Sequence, residues 1–204
     1  MARLLTPVGK LSRREGIELH PKAAKIMTRR PYGPGLHGQG RHSKPSDYAL
    51  QLREKQKVKR LYGILEKQFR RYVHEAERMD GVSGENLLQL LELRLDNTVY
   101  RLGLAPSRQA ARQMVTHAHI TINDKKVDVP SILVKPGDVV AVKASSIAKP
   151  YFVAIAEVVK ANAVAASWLK FDAKKMTATV TGLPLRDEID AEINEQLIIE
   201  YYSR

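Results

Sequence analysis

The sequence predicts an α+β protein: a mainly helical domain fronted by an extended basic arm, with an inserted small module of two short helices on a small twisted β-sheet. Three observations predict it. From residue 46 to 118 apolar residues recur at helical spacing, and from residue 119 the pattern changes to alternation, the period of a strand. Ahead of both, Pro7, Pro21, Pro31, Pro34, Pro45 and the glycines of RPYGPGLHGQGRHSKP are too dense for long regular elements. The expected division is an arm at 1–45, a helical domain at 46–91 rejoined by 156–204, and the module at 92–155.

The arm carries Arg3, Lys10, Arg13, Arg14, Lys22, Lys25, Arg29, Arg30, Arg41 and Lys44 and reads as a segment that orders on a polyanion. A disordered tail fits its composition equally well. Ser46 then offers an N-cap, and DYALQLREKQKVKRLY reads as a helix with Leu50, Val58, Leu61 and Tyr62 on one side and Arg53, Lys57 and Arg60 on another. After Gly63 a second helix, ILEKQFRRYVHEAERMD, sets Leu65, Phe69, Tyr72, Val73, Ala76 and Met79 on its apolar face and Arg70, Arg71, His74 and Arg78 opposite. A third, opened by Ser83 and rich in leucine, reads as core. Each cationic stripe alone could be a solvated face; two in succession after a basic arm favour a phosphate-binding surface.

A short turn of helix, DNTVYRLG, should end at Gly103 in a left-handed cap, and Ser107 should cap the helix SRQAARQMVTHA. There Ala110, Ala111, Met114, Val115 and Ala118 take the spacing of a buried face, and Arg108 and Arg112 lie four apart on another. Arg94 and Arg101, seven apart, would align if one helix ran through both. ITIN, DKK and VDV then read as a hairpin turning at Asp124-Lys125, and VVAV after Pro136-Gly137-Asp138 as a further strand.

Toward the C-terminus, residues 148–163 read as a helix packed through Ile155, Val158 and Val159. SWLKFD and TATVTG alternate like paired strands, with Trp168 in the core rather than on an RNA platform. EINEQLIIEYYSR fits a helix capped by Asn194 or a strand, the helix being preferred.

Charge narrows the function. Residues 1–80 hold 19 Lys+Arg against 8 Asp+Glu, residues 81–145 hold 8 against 6, and residues 146–204 hold 7 against 8, so nearly all of the +12 excess lies in the N-terminal third. A polyanion bound through phosphates is the expected partner, ahead of a membrane surface. The absence of cysteine excludes disulfides, thiolate metal sites and cysteine nucleophiles. No apolar run approaches the roughly 18 residues of a membrane span, and the first residues lack a secretory core, so a protein that is neither exported nor membrane-bound is expected.

Catalytic patterns fail one by one. GPGLHGQG lacks the GK[ST] ending of a phosphate-binding loop, and no strand precedes it. His20, His37 and His42 lack a further convincing zinc ligand, and no serine or carboxylate stands in an evident relation to His117 and His119. No cofactor, metal or enzymatic activity is expected. Asp187, Glu188, Asp190, Glu192 and Glu195 form an acidic cluster that would repel RNA and reads as solvent-facing or as a contact for a basic neighbour.

Double-stranded RNA hides its bases in a narrow major groove, so proteins read its backbone with Arg, Lys and small polar groups. Ser107, Arg108 and Arg112 line one helix start, whose free N–H groups suit a phosphate, with Asn123, Lys125 and Lys126 beside them in the hairpin and His119 at its foot. The expected RNA-binding set adds Arg13, Arg14, Arg41 and Lys44 from the arm, Arg53, Lys57, Arg60, Arg70 and Arg71 from the basic helices, and Arg94 and Arg101.

RLDNTVYRLGLAPSRQAARQMVTHAHITINDKKVDVPSILVKPGDVV resembles the small RNA-binding domain named after small-subunit ribosomal protein S-four. RREG at Arg13, PGLHG at Pro34, SDYALQLREKQKVKRLYGILEKQFRRY and NEQLIIEYYSR extend the resemblance to the bacterial S-four family over nearly the whole chain. The resemblance implies a cytoplasmic, non-enzymatic primary binder of small-subunit ribosomal RNA that nucleates assembly of the subunit body and affects translational accuracy. It implies neighbouring small-subunit proteins as partners, including S-five, and proximity to the path by which messenger RNA enters. Some members carry a four-cysteine metal knuckle near the N-terminus; here Gly9 and Ser12 stand in that region, so the metal is not carried over. Two alternatives share the module. An RNA-modifying enzyme needs a separate catalytic domain for which the residues after the module are too few, and a stand-alone RNA-binding factor would not match through the N-terminal region.

Overall fold

The structure, a computed structural model, describes residues 4–40, 44–161, 166–189 and 192–203. The fold is α+β, and the chain divides into two compact units, residues 1–87 with 191–204 and residues 88–190.

In the first unit the arm is not extended. Helix α1 (Val8–Glu15) starts after Pro7, whose φ of −54° suits a helix start, and ends at Gly16, whose φ of 75° lets its N–H return to the Ser12 carbonyl. A 3-10 turn (Pro21–Ala23), capped by the His20 ring accepting from the Lys22 N–H, leads into α2 (Ala24–Arg29). Leu11 and Ala23 are buried, and the Arg13 guanidinium donates to the Tyr32 and Gly33 carbonyls at 2.9 and 3.0 Å, pinning the glycine-rich loop. A Cβ at Gly38 would lie 1.9 Å from the Gly33 oxygen, so that loop closes only on glycine. Composition argued for extension, but caps and a few anchored carbonyls suffice to fold short elements.

Helix α3 (Asp47–Leu61) is capped by Ser46, whose hydroxyl accepts from the Ala49 N–H. Val58, Leu61 and Tyr62 are buried as expected, whereas Leu50 is 45% exposed. In α4 (Glu66–Arg78) Phe69, Tyr72, Val73 and Ala76 are buried, but Leu65 and Met79, at its ends, are 37% and 39% exposed. The C-terminal segment is a helix, α10 (Glu195–Tyr202, numbered in chain order with the elements below), capped by Asn194 and packed along α3. Gln51 donates to Glu200 at 2.9 Å and the Asn194 N–H to Glu54 at 2.9 Å.

The chain passes to the second unit inside α5 (Ser83–Glu92). There α6 (Leu95–Arg101) and α7 (Arg108–Thr116) accompany a five-stranded antiparallel sheet of order β2-β1-β3-β5-β4. The strands are β1 (Ile120–Ile122), β2 (Lys125–Val127), β3 (Val139–Val142), β4 (Leu169–Asp172) and β5 (Thr177–Val180). The hairpin turns at Asn123-Asp124, one residue earlier than expected. Both residues have positive φ, 48° and 63°, the backbone that a two-residue hairpin turn needs and that Asn and Asp tolerate.

Residues 156–161 and 166–189 belong to this unit rather than to the helical one. Strand β5 pairs with β3, Val140 opposite Ala178, and Trp168, Leu169, Met176, Ala178 and Val180 share one core with Leu95, Val99, Val115, Ile120 and Val140. An alternating strand shows which face it buries but not which strand it pairs with. The helix expected at 148–163 is α9 (Pro150–Ala161), preceded by a separate short helix, α8 (Ala144–Ile147), that was not expected; residues 162–163 lie outside the described residues. Phe152 and Val159 are buried, Ile155 is half-buried, and Val158 is 55% exposed, against expectation.

Candidate nucleic-acid interface

In the helical unit the basic residues separate into two populations. One is consumed internally. Glu15, at the end of α1, is met by Arg53 at 3.3 Å and by Arg60, and Lys57 pairs with Glu54 at 2.8 Å and donates to the Glu192 carbonyl. Burial pushes the Glu15 carboxyl above its ordinary value, outweighing the attraction of Arg60 and Arg53. The stripe of Arg53, Lys57 and Arg60 therefore docks α1 and the C-terminal segment. Lys55 and Lys59 hold Glu66 at 3.0 and 2.8 Å, and the Tyr202 hydroxyl donates to it at 2.7 Å. Burial alone would raise Glu66; the hydrogen bonds from Lys59, Tyr202 and Lys55 outweigh it and hold the carboxyl at about 2.

The other population faces outward. Lys67, Arg70, Arg71 and Arg78 on α4 are exposed and make no ion pair among the described residues, and Arg14 and Lys44 are likewise exposed. Arg13 is half-buried in the loop contacts above, and Arg41 lies outside the described residues. Lys22, Lys25, Arg29 and Arg30, also exposed, extend the basic surface of α1 and α2 beyond the expected set. Their signal, dense Lys and Arg without acidic partners, was present in the sequence.

In the second unit Arg94 is not a surface residue. Its backbone is extended, φ −64° and ψ 137°, and bridges Leu133, so α5 and α6 are separate and Arg94 does not align with Arg101. Its fully buried side chain donates to both carboxylate oxygens of Asp96, at 3.1 and 2.8 Å. Arg112 reaches the same Asp96 at 3.2 Å. Arg101 makes two 2.8 Å bonds to Glu92, which also accepts from Asn97, and Arg108 donates to the Asn97 carbonyl oxygen at 2.8 Å while lying over the Tyr100 ring. Two nearly buried carboxylates thus orient four guanidiniums. The side chains of Arg101, Arg108 and Arg112 stay 21%, 14% and 15% exposed. Sequence reasoning missed Glu92, Asp96 and Asn97 as positioning residues, although acids interleaved with arginines in ELRLDN carried the signal.

Around this network, the Ser107 hydroxyl accepts from the Ala110 N–H and is itself buried, a cap rather than an open contact. Lys125 and Lys126 are exposed on the edge strand. Asn123 is exposed but occupied: its oxygen accepts from the Val139 N–H and its amide donates to Asp138, both at 2.9 Å. His119 lies 2.9 Å from the Ser146 hydroxyl and edge-on to Phe152; burial, then Lys149, His117 and Lys143, push its pKa down. Among the described residues no group of His, Cys, Asp and Glu is arranged to hold a metal, and no helix is long and apolar enough to cross a membrane.

A basic helical unit joined to a small sheet module with positioned arginines is the architecture of an RNA-binding protein. Residues 3–92 match the ribosomal protein S4/S9 N-terminal domain and residues 93–140 the S4 domain. Over 100% of both chains, the sequence is 52% identical to small ribosomal subunit protein uS4 of Pelotomaculum thermopropionicum and of Clostridioides difficile, and 52% identical to that of Herpetosiphon aurantiacus. The chain belongs to the uS4 family of small ribosomal subunit proteins. It is a ribosomal protein of the cytoplasmic small subunit and not an enzyme.

Proposed function

We propose that this constituent of the small subunit is a primary ribosomal RNA binder that nucleates assembly of the subunit body. The observation that carries the reading is the outer face of α4. Lys67, Arg70, Arg71 and Arg78 remain exposed and without ion pairs while the neighbouring cations of α3 are neutralised internally. A row of unneutralised cations along one helix face presents a site for phosphates. Arg14 and Lys44 add charge in the same unit, and Arg101, Arg108, Arg112, Lys125 and Lys126 offer a second set in the module, where oriented guanidiniums lose little entropy on meeting phosphate oxygens.

Contacts with neighbouring small-subunit proteins, S-five among them, proximity to the messenger RNA path and an influence on accuracy accompany this reading. The test is binding to naked small-subunit RNA with footprinting. Protection of a helical junction without other proteins, lost steeply with salt, is the expected result; protection only after other proteins have bound would refute primary binding.

A further inference from the structure

The module unit contains a recess of about 320 Å³ lined among others by Tyr100, Arg101, Trp168, Pro184 and Glu188, so that it borders the positioned arginines through Arg101. Its size reaches the lower end of the range of ligand sites. Two carboxylates stand at it in different states. Glu92 is saturated, held by Arg101 through both oxygens and by Asn97. Glu188 is half satisfied: one oxygen accepts from the Ser167 N–H at 3.1 Å, and the other is buried with no hydrogen-bond partner among the described residues. A buried carboxylate oxygen without a donor is costly, because its lost hydration is not replaced.

Leu183 and Leu185, next to the lining Pro184 in sequence, are 50% and 60% exposed, and Asp187, next to Glu188, is exposed. Exposed apolar residues adjoining the lining, two aromatic residues and an unanswered carboxylate describe a socket for a long cationic side chain, whose methylenes cover apolar surface while its head reaches the acid. A planar guanidinium suits it better than an ammonium, since it lies flat on aromatic rings, as Arg108 already does over Tyr100 at 4.7 Å. RNA is disfavoured, because its phosphates would meet Glu188 and Asp187 in a C-terminal block that is already net acidic.

We propose that this recess receives an arginine side chain from a basic partner protein, with Glu188 as its counter-ion and Trp168 in its wall. The partner is thereby defined by chemistry: an exposed arginine flanked by apolar residues. Glu188 lies outside the proposed RNA-binding set, and Arg101, which lines both, stays unaltered in the test, so the failure of either reading remains distinguishable.

The sole tryptophan, Trp168, reports on the site directly. The full-length protein would be titrated with acetyl-Gly-Arg-Gly-amide, with its uncharged citrulline counterpart and with adenosine monophosphate, following Trp168 emission and the Trp168 indole and Ser167 amide resonances. The expected result is a saturable response to the arginine peptide alone, weakened about tenfold or more in Glu188→Gln, with RNA binding unchanged. Equal responses to arginine and citrulline, a response only to the nucleotide, no response, or an unweakened Glu188→Gln would each overturn the proposal. Should Glu188→Gln fail to fold, the arginine and citrulline comparison on the unaltered protein still decides it.

Discussion

Arg94 and Asp96, separated by one residue, form a buried two-bond ion pair in which the arginine is fully enclosed and the aspartate also receives Arg112. It lies at the extended step between α5 and α6, where Leu95 and Val134 N–H groups bond across to the Ile132 and Leu93 carbonyls. The pair therefore sets the register of the segment that carries the other arginines.

Removing one member should be far worse than removing both. Arg94→Ala leaves Asp96 to Arg112 alone, Asp96→Ala strips the buried Arg94 of both carboxylate bonds, and each should cost about 3–5 kcal/mol in urea unfolding. Replacement of both by apolar residues of similar volume should cost less than either single change. Equal costs for Arg94→Ala and an exposed Arg71→Ala would contradict the buried-pair account.

Arg70→Ala with Arg71→Ala should leave stability within about 0.5 kcal/mol, as exposed residues without partners do. RNA affinity should fall, and the slope of log affinity against log salt should shallow by about two. Filter binding across a salt series measures both; an unchanged slope would remove α4 from the interface.

Arg108→Ala and Arg112→Ala combine two effects, because each guanidinium is tied to Asn97 or Asp96. A loss of RNA affinity should come with a stability loss of about 1–3 kcal/mol from the polar partners left behind. Thermal unfolding measured beside RNA binding separates the two, and a loss of affinity at full stability would show that the network is not structural.

The Glu66 carboxyl, held at about 2 against 4.5 for the ordinary group, stabilises the fold only while ionised. Its folded pKa is depressed, so its contribution is complete above pH 4.5 and disappears as pH falls toward 2. Glu66→Gln should thus be less stable than the parent at neutral pH, with the difference closing between those two values. A gap that persists below pH 2 would rule out the ion pairs with Lys55 and Lys59 as its source.

Asn123→Ala forces a residue with a Cβ and no side-chain acceptor into φ 48° and removes the bonds to Val139 and Asp138. A cost of about 1–2 kcal/mol from the backbone alone is expected, and Asn123→Gly should recover that part. Identical stabilities for the two variants would show that backbone strain plays no part.

Local signals were legible in the sequence because their causes are local. Ser46, Ser107 and Asn194 cap the helices that they precede, Gly103 takes the left-handed conformation after α6, and Trp168 lies in the core. Helical and strand periods, the concentration of charge toward the N-terminus and the resemblance carried by RLDNTVYRLG through KPGDVV likewise needed no coordinates. Which cations stay available was decided by tertiary structure. Arg53 and Arg60 share the stripe seen from the sequence but meet Glu15 from 38 and 45 positions away, and Arg94 turns inward where α5 stops. Strand β5 joined β3 instead of returning to the helical unit, since an alternating strand states its buried face but leaves its partner to the packing of the whole core. The sequence alone determined what kind of surface to expect and roughly how much charge it holds; the fold determined which arginines present that charge, because ion pairing depends on distances that linear spacing does not contain.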